Sequence, residues 1–353
     1  TWLRVMRRSL SEGNLALFDT VPFNGLARLR EVISRYLYEF KGIHASPDCI
    51  IVGAGTEYLY SRLLQLFGNR TVVAIGDPGY KKFADISKSM GILWEYLPID
   101  DEGILVNTLA ESPAEVVHVS PANHFPLGIE MSSDRRRALL DWVNKDPHRY
   151  IIEDDYDSEL RFGGRAKPSL FTQDLNQKVI YLNTFSKTLV PSLRISYMVL
   201  PKALMELYTR QLSFYSCTVS SFEQDALARF IENGYFERHV NRLRRYYDKQ
   251  RHSIVQALEK SSLMNIASIS NPLVTHLILS VDSQLSDEEI SRKAQDLGMH
   301  LAMLSDYCIN PTVRSFHYVV INFASIEPQQ ISVAVELLEK VFAHDIASAK
   351  ASN

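Results

Sequence analysis

A lysine set between two hydroxyl residues, with an arginine seven positions on, is the stretch of this chain best equipped for chemistry. Residues 184–194 read TFSKTLVPSLR and follow an apolar β-type run, VIYL, at 179–182. Lysine is costly to bury unless it has a partner or a task. The task suggested here is imine formation at Lys187, with Thr184, Ser186 and Arg194 gathered to hold a phosphate. Pyridoxal phosphate asks for both, an imine-forming amine and a phosphate cradle close by. A solvated lysine and arginine on an ordinary loop would read the same way in isolation.

A second run, YIIEDDY at 150–156, ends in acid. Period-two alternation sets Ile152, Asp154 and Tyr156 on one face and Glu153 and Asp155 on the other. Asp154 would keep a pyridinium nitrogen protonated, and the Tyr156 phenol would hydrogen-bond the ring's 3′-oxygen. A carboxylate beside a cationic ring stays ionised. A metal site or a solvated acidic loop would use the same residues. Gly53-Ala54-Gly55-Thr56 closes a strand and opens a helix, where free N–H groups and the helix dipole favour a phosphate. The dinucleotide pattern G-x-G-x-x-G fails there at Tyr58. Tyr80, in DPGY at 77–80, could lay its ring over a flat cofactor, or be a half-buried tyrosine of an ordinary turn. Residues 120–126, SPANHFP, form another edge loop, in which a single histidine, His124, is first of all a hydrogen-bonded structural residue.

These residues need a sheet edge to converge, and the chain supplies one. Seven β-type runs (49–53, 72–76, 94–99, 115–120, 150–154, 179–184 and 195–200) alternate with helical patterns at about 56–68, 79–90, 132–144 and 202–213. That alternation predicts an α/β fold, a mostly parallel seven-stranded sheet covered by helices on both faces. Ligands of such sheets collect at the carboxyl ends of the strands. Helices are also predicted over residues 1–12 and 26–41, the second punctuated by Gly25 and Gly42. A charged helix over 235–260 carries Arg238, Arg242, Arg244 and Arg245. Beyond it come runs at 274–281, 300–304 and 318–324 and helices at 285–297 and 328–343, a small α+β unit. The expected domains are 1–245 and 246–353.

Composition narrows the function classes. The chain has 353 residues, 46% hydrophobic and 22% charged, a globular profile with room for a large core. Its 38 Lys+Arg against 41 Asp+Glu give a net charge of −3, with no basic surplus to suit nucleic acid. Cys49, Cys217 and Cys308 form no C-x-x-C pair and read as reduced thiols of a cytoplasmic protein. No apolar run approaches a membrane span, and no signal peptide opens the chain. It begins at Thr1, directly in a helical pattern, and is expected to have been cut from something longer.

Together, DPGY (77–80), SPANHFPLGIEMSSDRRRALL (120–140), IIEDDYDSELRF (151–162) and VIYLNTFSKTLVPSLRISYMVLP (179–201) resemble the fold type I pyridoxal-phosphate aminotransferases. More narrowly they resemble the aminotransferase-like domain of MocR/GabR-type regulators of the GntR family. The resemblance implies Lys187 as imine lysine, Asp154 at the ring nitrogen, Tyr156 at the 3′-oxygen and Tyr80 stacked on the ring. It implies Arg194, Thr184, Ser186 and the Gly55–Thr56 backbone as holders of the phosphate. Two positions depart from the aminotransferase pattern. Phe125-Pro126-Leu127-Gly128 stands where N-P-[TS]-G is usual, leaving Asn123 or His124 to replace the asparagine at the 3′-oxygen. The strand that commonly begins with the carboxylate-binding arginine reads Val320-Ile321-Asn322-Phe323-Ala324, so Arg314 is the nearest candidate, or an exposed loop charge.

The resemblance further implies a symmetric homodimer and a small amino compound as ligand. DNA would be bound only through an N-terminal winged helix-turn-helix that this chain lacks. Two functions compete. One is a sensor domain, with cofactor on Lys187 and an external aldimine formed with the amino compound. The other is a working aminotransferase in which Lys187 is also the general base. A scaffold that has lost the cofactor is the third, and no residue of the core set is missing.

Overall fold

The alternating runs build two separate sheets, joined by one long helix, in a computed structural model that describes residues 1–11, 15–162, 167–270, 275–309 and 316–351. The strands of the large sheet are β1 (Ile50–Gly53), β2 (Val72–Asp77), β3 (Leu93–Asp100), β4 (Gly103–Ile104), β5 (Val116–Val119), β6 (Tyr150–Asp155), β7 (Val179–Thr184) and β8 (Ser196–Val199). Their spatial order is β1-β8-β7-β6-β5-β2-β3-β4. From β7 through β6, β5 and β2 to β3 every pairing is parallel, whereas β8 runs antiparallel to both its neighbours, β1 and β7.

The sheet thus has eight strands and not seven. The extra one arises where the Asp100 carboxylate accepts the Glu102 N–H at 2.9 Å and Gly103 takes φ +109°, turning the chain back on β3. A positive φ of that size is open to glycine at little cost. Two residues of pairing leave no periodicity to detect in sequence.

The helices are α1 (Trp2–Ser11), α2 (Ala27–Lys41), α3 (Thr56–Phe67), α4 (Lys82–Ser89), α5 (Val106–Glu111), α6 (Ser133–Asn144) and α7 (Leu170–Gln173). After β8 come α8 (Lys202–Leu212), α9 (Ser221–Glu232), α10 (Tyr235–Glu259), α11 (Asp287–Asp296), α12 (Ile331–Val341) and α13 (Ala343–Ala351). Both faces of the central strands are covered, which is why β5, β6 and β7 read as near-continuous apolar runs. On one face Ile152, Ile180, Leu182 and Met198 pack with Leu59, Leu63 and Tyr208 of α3 and α8. On the other, Tyr181 and Tyr197 pack with Leu29, Ile33, Leu37 and Leu227 of α2 and α9. Each such fully buried aliphatic contributes about 1.5–3 kcal/mol.

The small sheet comprises β9 (Ala267–Ile269), β10 (Leu277–Asp282), β11 (Ala302–Met303) and β12 (Phe316–Ile321), all antiparallel, in the order β11-β12-β10-β9. Here the expected limits shift. The run at 318–324 ends at Ile321 because the chain enters a 3₁₀ turn at Phe323–Ser325, and 300–304 contributes only two paired residues. The helix expected over 328–343 divides into a short 3₁₀ turn, α12 and α13.

The expected boundary at residue 245 falls inside α10, which is unbroken. Its early residues Phe236 and Val240 belong to the core with α2 and α9, and its late residues Ile254 and Leu258 to the core of the small sheet. Arg244, though exposed, donates to the Glu159 carbonyl, its Nη2 at 2.7 Å. Among the described residues no helix is long and apolar enough to cross a membrane.

Candidate functional site

The carboxyl ends of β2, β5, β6 and β7 meet the first turn of α3 around one cavity of about 220 Å³. Its lining includes Thr56, Tyr80, Asp154, Tyr156, Thr184, Ser186, Lys187 and Arg194. Eight of the positions singled out in sequence therefore converge, from parts of the chain up to about 140 residues apart. Sheet order explains the meeting, because β5, β6 and β7 are neighbours and β8 brings Arg194 back beside them.

Lys187 lies in the turn between β7 and the 3₁₀ turn Pro191–Leu193. That turn is tied by Thr184, whose Oγ1 accepts the Ser186 N–H at 3.1 Å and the Ser196 hydroxyl at 2.8 Å. The Thr184 hydroxyl is thus committed to holding the turn, while Ser186 Oγ is buried without a hydrogen-bond partner among the described residues. Arg194 adopts the left-handed conformation at φ 52°, ψ 31° and reaches across to α3. A Cβ at Gly55, which sits at φ +97°, would come within 2.5 Å of Arg194 Nη2. Glycine is thus what lets the guanidinium lie against the backbone of the helix start. No side chain caps that first turn, so its N–H groups are available to an anion.

Across the cavity Asp154 is buried, and no hydrogen bond reaches its carboxylate among the described residues. His118 on β5 lies beside it, its Nε2 3.6 Å from Asp154 Oδ2 and without a hydrogen bond among the described residues. His118 is wedged against the Phe83 ring at 4.2 Å between centroids. Sequence reading missed it, since a single histidine inside VVHV carries no motif. Period-two alternation from the pocket end of β5 was the signal available.

Tyr156 donates to the Asn123 carbonyl at 3.1 Å, and Asn123 Nδ2 donates back to the Tyr156 oxygen at 2.8 Å and to Asp157 Oδ2 at 2.9 Å. Burial, reinforced by Asp157 and Asp154, pushes the Tyr156 phenol well above its ordinary range, so it keeps its proton. Of the two substitutes considered for the missing asparagine, Asn123 is the one placed at Tyr156. His124 instead donates Nε2–H to the Pro78 carbonyl at 2.8 Å, a structural contact.

Tyr80 is 38% exposed, and its ring meets Phe83 and Phe125 edge-on at 5.3 and 6.2 Å. His276, from the small sheet's β10 side, closes over the same loop by donating to the Pro126 carbonyl at 3.0 Å. Burial pushes its imidazole down to about 4; the Pro126 carbonyl opposes this and the Lys187 ammonium adds to it. Arg314 lies outside the described residues. Among those described, no three His, Cys, Asp or Glu side chains gather as a metal site.

The residues present fit pyridoxal phosphate. Among the described residues a buried carboxylate and a buried hydroxyl lack hydrogen-bond partners, a glycine-floored arginine faces an uncapped helix start, and an amine lines the same cavity.

The aminotransferase class I and II family model matches residues 3–338. The chain belongs to that family. Within it, the chain is 34% identical to an uncharacterized HTH-type transcriptional regulator, YdeL of Bacillus subtilis, over 96% of this chain and 72% of that protein. It is 30% identical to the probable rhizopine catabolism regulatory protein MocR of Rhizobium meliloti, over 97% of this chain and 69% of that protein. Among solved structures, an archaeal alanine:glyoxylate aminotransferase superposes with a TM-score of 0.87 at 20% identity, covering 97% of this chain and 86% of that one. The kynurenine aminotransferase of Pyrococcus horikoshii, solved with PMP, gives 0.84 at 23% identity, covering 97% and 87%. At those identities the likeness is one of fold, that of the fold type I pyridoxal-phosphate enzymes. Identity of 30% or more over nearly the whole chain is found with the regulators.

Proposed function

We propose that this aminotransferase-family chain is the effector domain of a MocR/GabR-type transcriptional regulator, holding pyridoxal phosphate on Lys187 and responding to a small amino compound. One observation carries the reading. A single cavity collects the amine, carboxylate, phenol and arginine of the family, in a chain whose similarity to named regulators extends over nearly its whole length. When bound, the cofactor supplies an electron sink for bonds at an amino carbon.

The chain's own residues divide the work. Lys187 supplies the amine that anchors the cofactor and, once released, a base at the pocket wall. Asp154 would offer its carboxylate to the ring nitrogen, and Tyr156, keeping its proton and steadied by Asn123, would serve the 3′-oxygen. Tyr80 would cover the ring. Ser186, Arg194 and the first N–H groups of α3, at Gly55–Thr56, hold the phosphate, while Thr184 fixes the turn that presents Lys187. Arg314 is proposed for the ligand's carboxylate. A symmetric homodimer and a cytoplasmic location belong to the same proposal, as does DNA contact through a separate winged helix-turn-helix domain, which the HTH-type regulator relative supports. The division of the chain into units 1–245 and 246–353 is proposed from the two cores that α10 joins.

A working aminotransferase is the second reading, favoured by the intact Lys187, Asp154, Tyr156 and Arg194 set. Titration of the cofactor-loaded chain with amino acids separates the two. A lasting change in the visible spectrum with no keto acid released is the sensor outcome. Stoichiometric keto acid, followed by turnover when a second keto acid is added, would replace the sensor reading with the enzyme.

A further inference from the structure

The phosphate side of the cavity contains a negative charge that a phosphate would not choose. Glu57 is the second residue of α3, next to Thr56, and lines the same cavity. Its Oε2 lies 3.1 Å from Arg194 Nη2, and its Oε1 lies 3.0 Å from Lys82 Nζ. Arg194 and Lys82 thus converge on one carboxylate, at the uncapped start of a helix whose dipole favours an anion. A hydrogen bond from Lys82, together with the charges of Lys82 and Arg194, holds the Glu57 carboxyl below its usual range despite partial burial, so it is ionised at neutral pH. In charge and position Glu57 does for Arg194 what a bound phosphate would do.

We propose that Glu57 is an internal competitor for the phosphate seat: it occupies Arg194 in the unloaded chain and lowers the affinity of the seat for a phosphate monoester. The inference rests on the reading of Arg194 and the α3 start as the phosphate site. Arg194 must turn from the carboxylate to the phosphate, or serve both while two anions face each other. Either way loading costs more than it would beside a neutral residue. Glu57 thereby makes loading of the seat more readily reversible without touching the ring or Lys187. The plain alternative is an exposed ion pair that merely steadies Arg194; the two ideas predict opposite signs.

The test measures binding of inorganic phosphate by calorimetry and of pyridoxal phosphate by absorbance, at low salt, in the wild-type chain, Glu57→Gln, Glu57→Ala and Arg194→Met. Glu57→Gln and Glu57→Ala are expected to bind both ligands about tenfold more tightly, with the gain shrinking at high salt. Pyridoxal, which lacks the phosphate, should bind equally to wild type and Glu57→Gln. Unchanged or weaker phosphate binding in both Glu57 variants would overturn the proposal, as would an equal gain for pyridoxal. If Arg194→Met leaves phosphate binding intact, the phosphate site itself is misplaced and the competitor role falls with it. If Arg194→Met abolishes binding while Glu57→Gln changes nothing, only the competitor role is lost.

Discussion

The two faces of β6 carry nearly the same chemistry and put it to different use. On the back face, Asp155 is tied into a buried network. Lys41 Nζ lies 2.7 Å from Asp155 Oδ2 and 2.7 Å from Glu159 Oε1, and it donates to Ser158 at 2.8 Å and to Tyr181 at 3.0 Å. Tyr181 also donates to Asp155 at 2.6 Å, and Asn183 donates to Glu159 at 3.2 Å. On the cavity face, one residue earlier, Asp154 is buried as deeply and, among the described residues, has only His118 at 3.6 Å. A buried charge without a partner is costly. The back face offsets that cost with Lys41, shared by two carboxylates, although Asp155 Oδ1 and Glu159 Oε2 have no hydrogen bond among the described residues. The front face leaves it unmet, as expected where a cationic ring completes the site.

The largest expected effect breaks the back face. Lys41→Met strands Asp155 and Glu159 in the interior and should lower stability by about 3–5 kcal/mol in urea denaturation. Adding Asp155→Asn should restore part of that loss, since the two sites share one interaction. Full additivity of the two losses would count against the network.

A smaller effect is a pH dependence on the cavity side. His276 titrates near 4 in the folded chain against 6.5 normally, so between those values the unfolded chain binds more protons. Stability should therefore rise with pH from about 4 to 6.5 and level off above, by at most about 3 kcal/mol from this group. His276→Gln should flatten that rise in acid denaturation; an unaltered slope would mean that the imidazole charges freely in the fold.

The smallest stability effect is expected at Asp154. Asp154→Asn replaces a buried carboxylate that has no hydrogen bond among the described residues and should leave the cofactor-free chain within about 0.5 kcal/mol of wild type, or more stable. It should nonetheless weaken retention of pyridoxal phosphate, measured by dialysis and absorbance. A large loss of stability in the cofactor-free chain would erase the contrast between the two faces.

What the sequence made legible was local. Lys187, Arg194, Asp154 and Tyr156 could be found because each sits at the end of an apolar run, where strand alternation fixes which side chains share a face. The order of the strands was not legible. Nothing in residues 195–200 announces that β8 inserts antiparallel between β1 and β7, although that insertion brings Arg194 to α3. His118 was hidden in an apolar run, Glu57 in the first turn of an ordinary amphipathic helix, and His276 in a distant unit whose contact with Pro126 has no local signature. Arg244 of α10 donates to a backbone carbonyl 85 residues earlier in the chain, a contact that leaves no local signature.

The central claim is covalent: pyridoxal phosphate is held by Lys187 and by no other amine. Borohydride reduction of the cofactor-loaded chain, followed by peptide mapping by mass spectrometry, tests it directly. The account predicts the reduced cofactor on the peptide that contains Lys187, and none bound in Lys187→Ala. Label on Lys41, Lys82 or another lysine, or labelling that persists in Lys187→Ala, would contradict it.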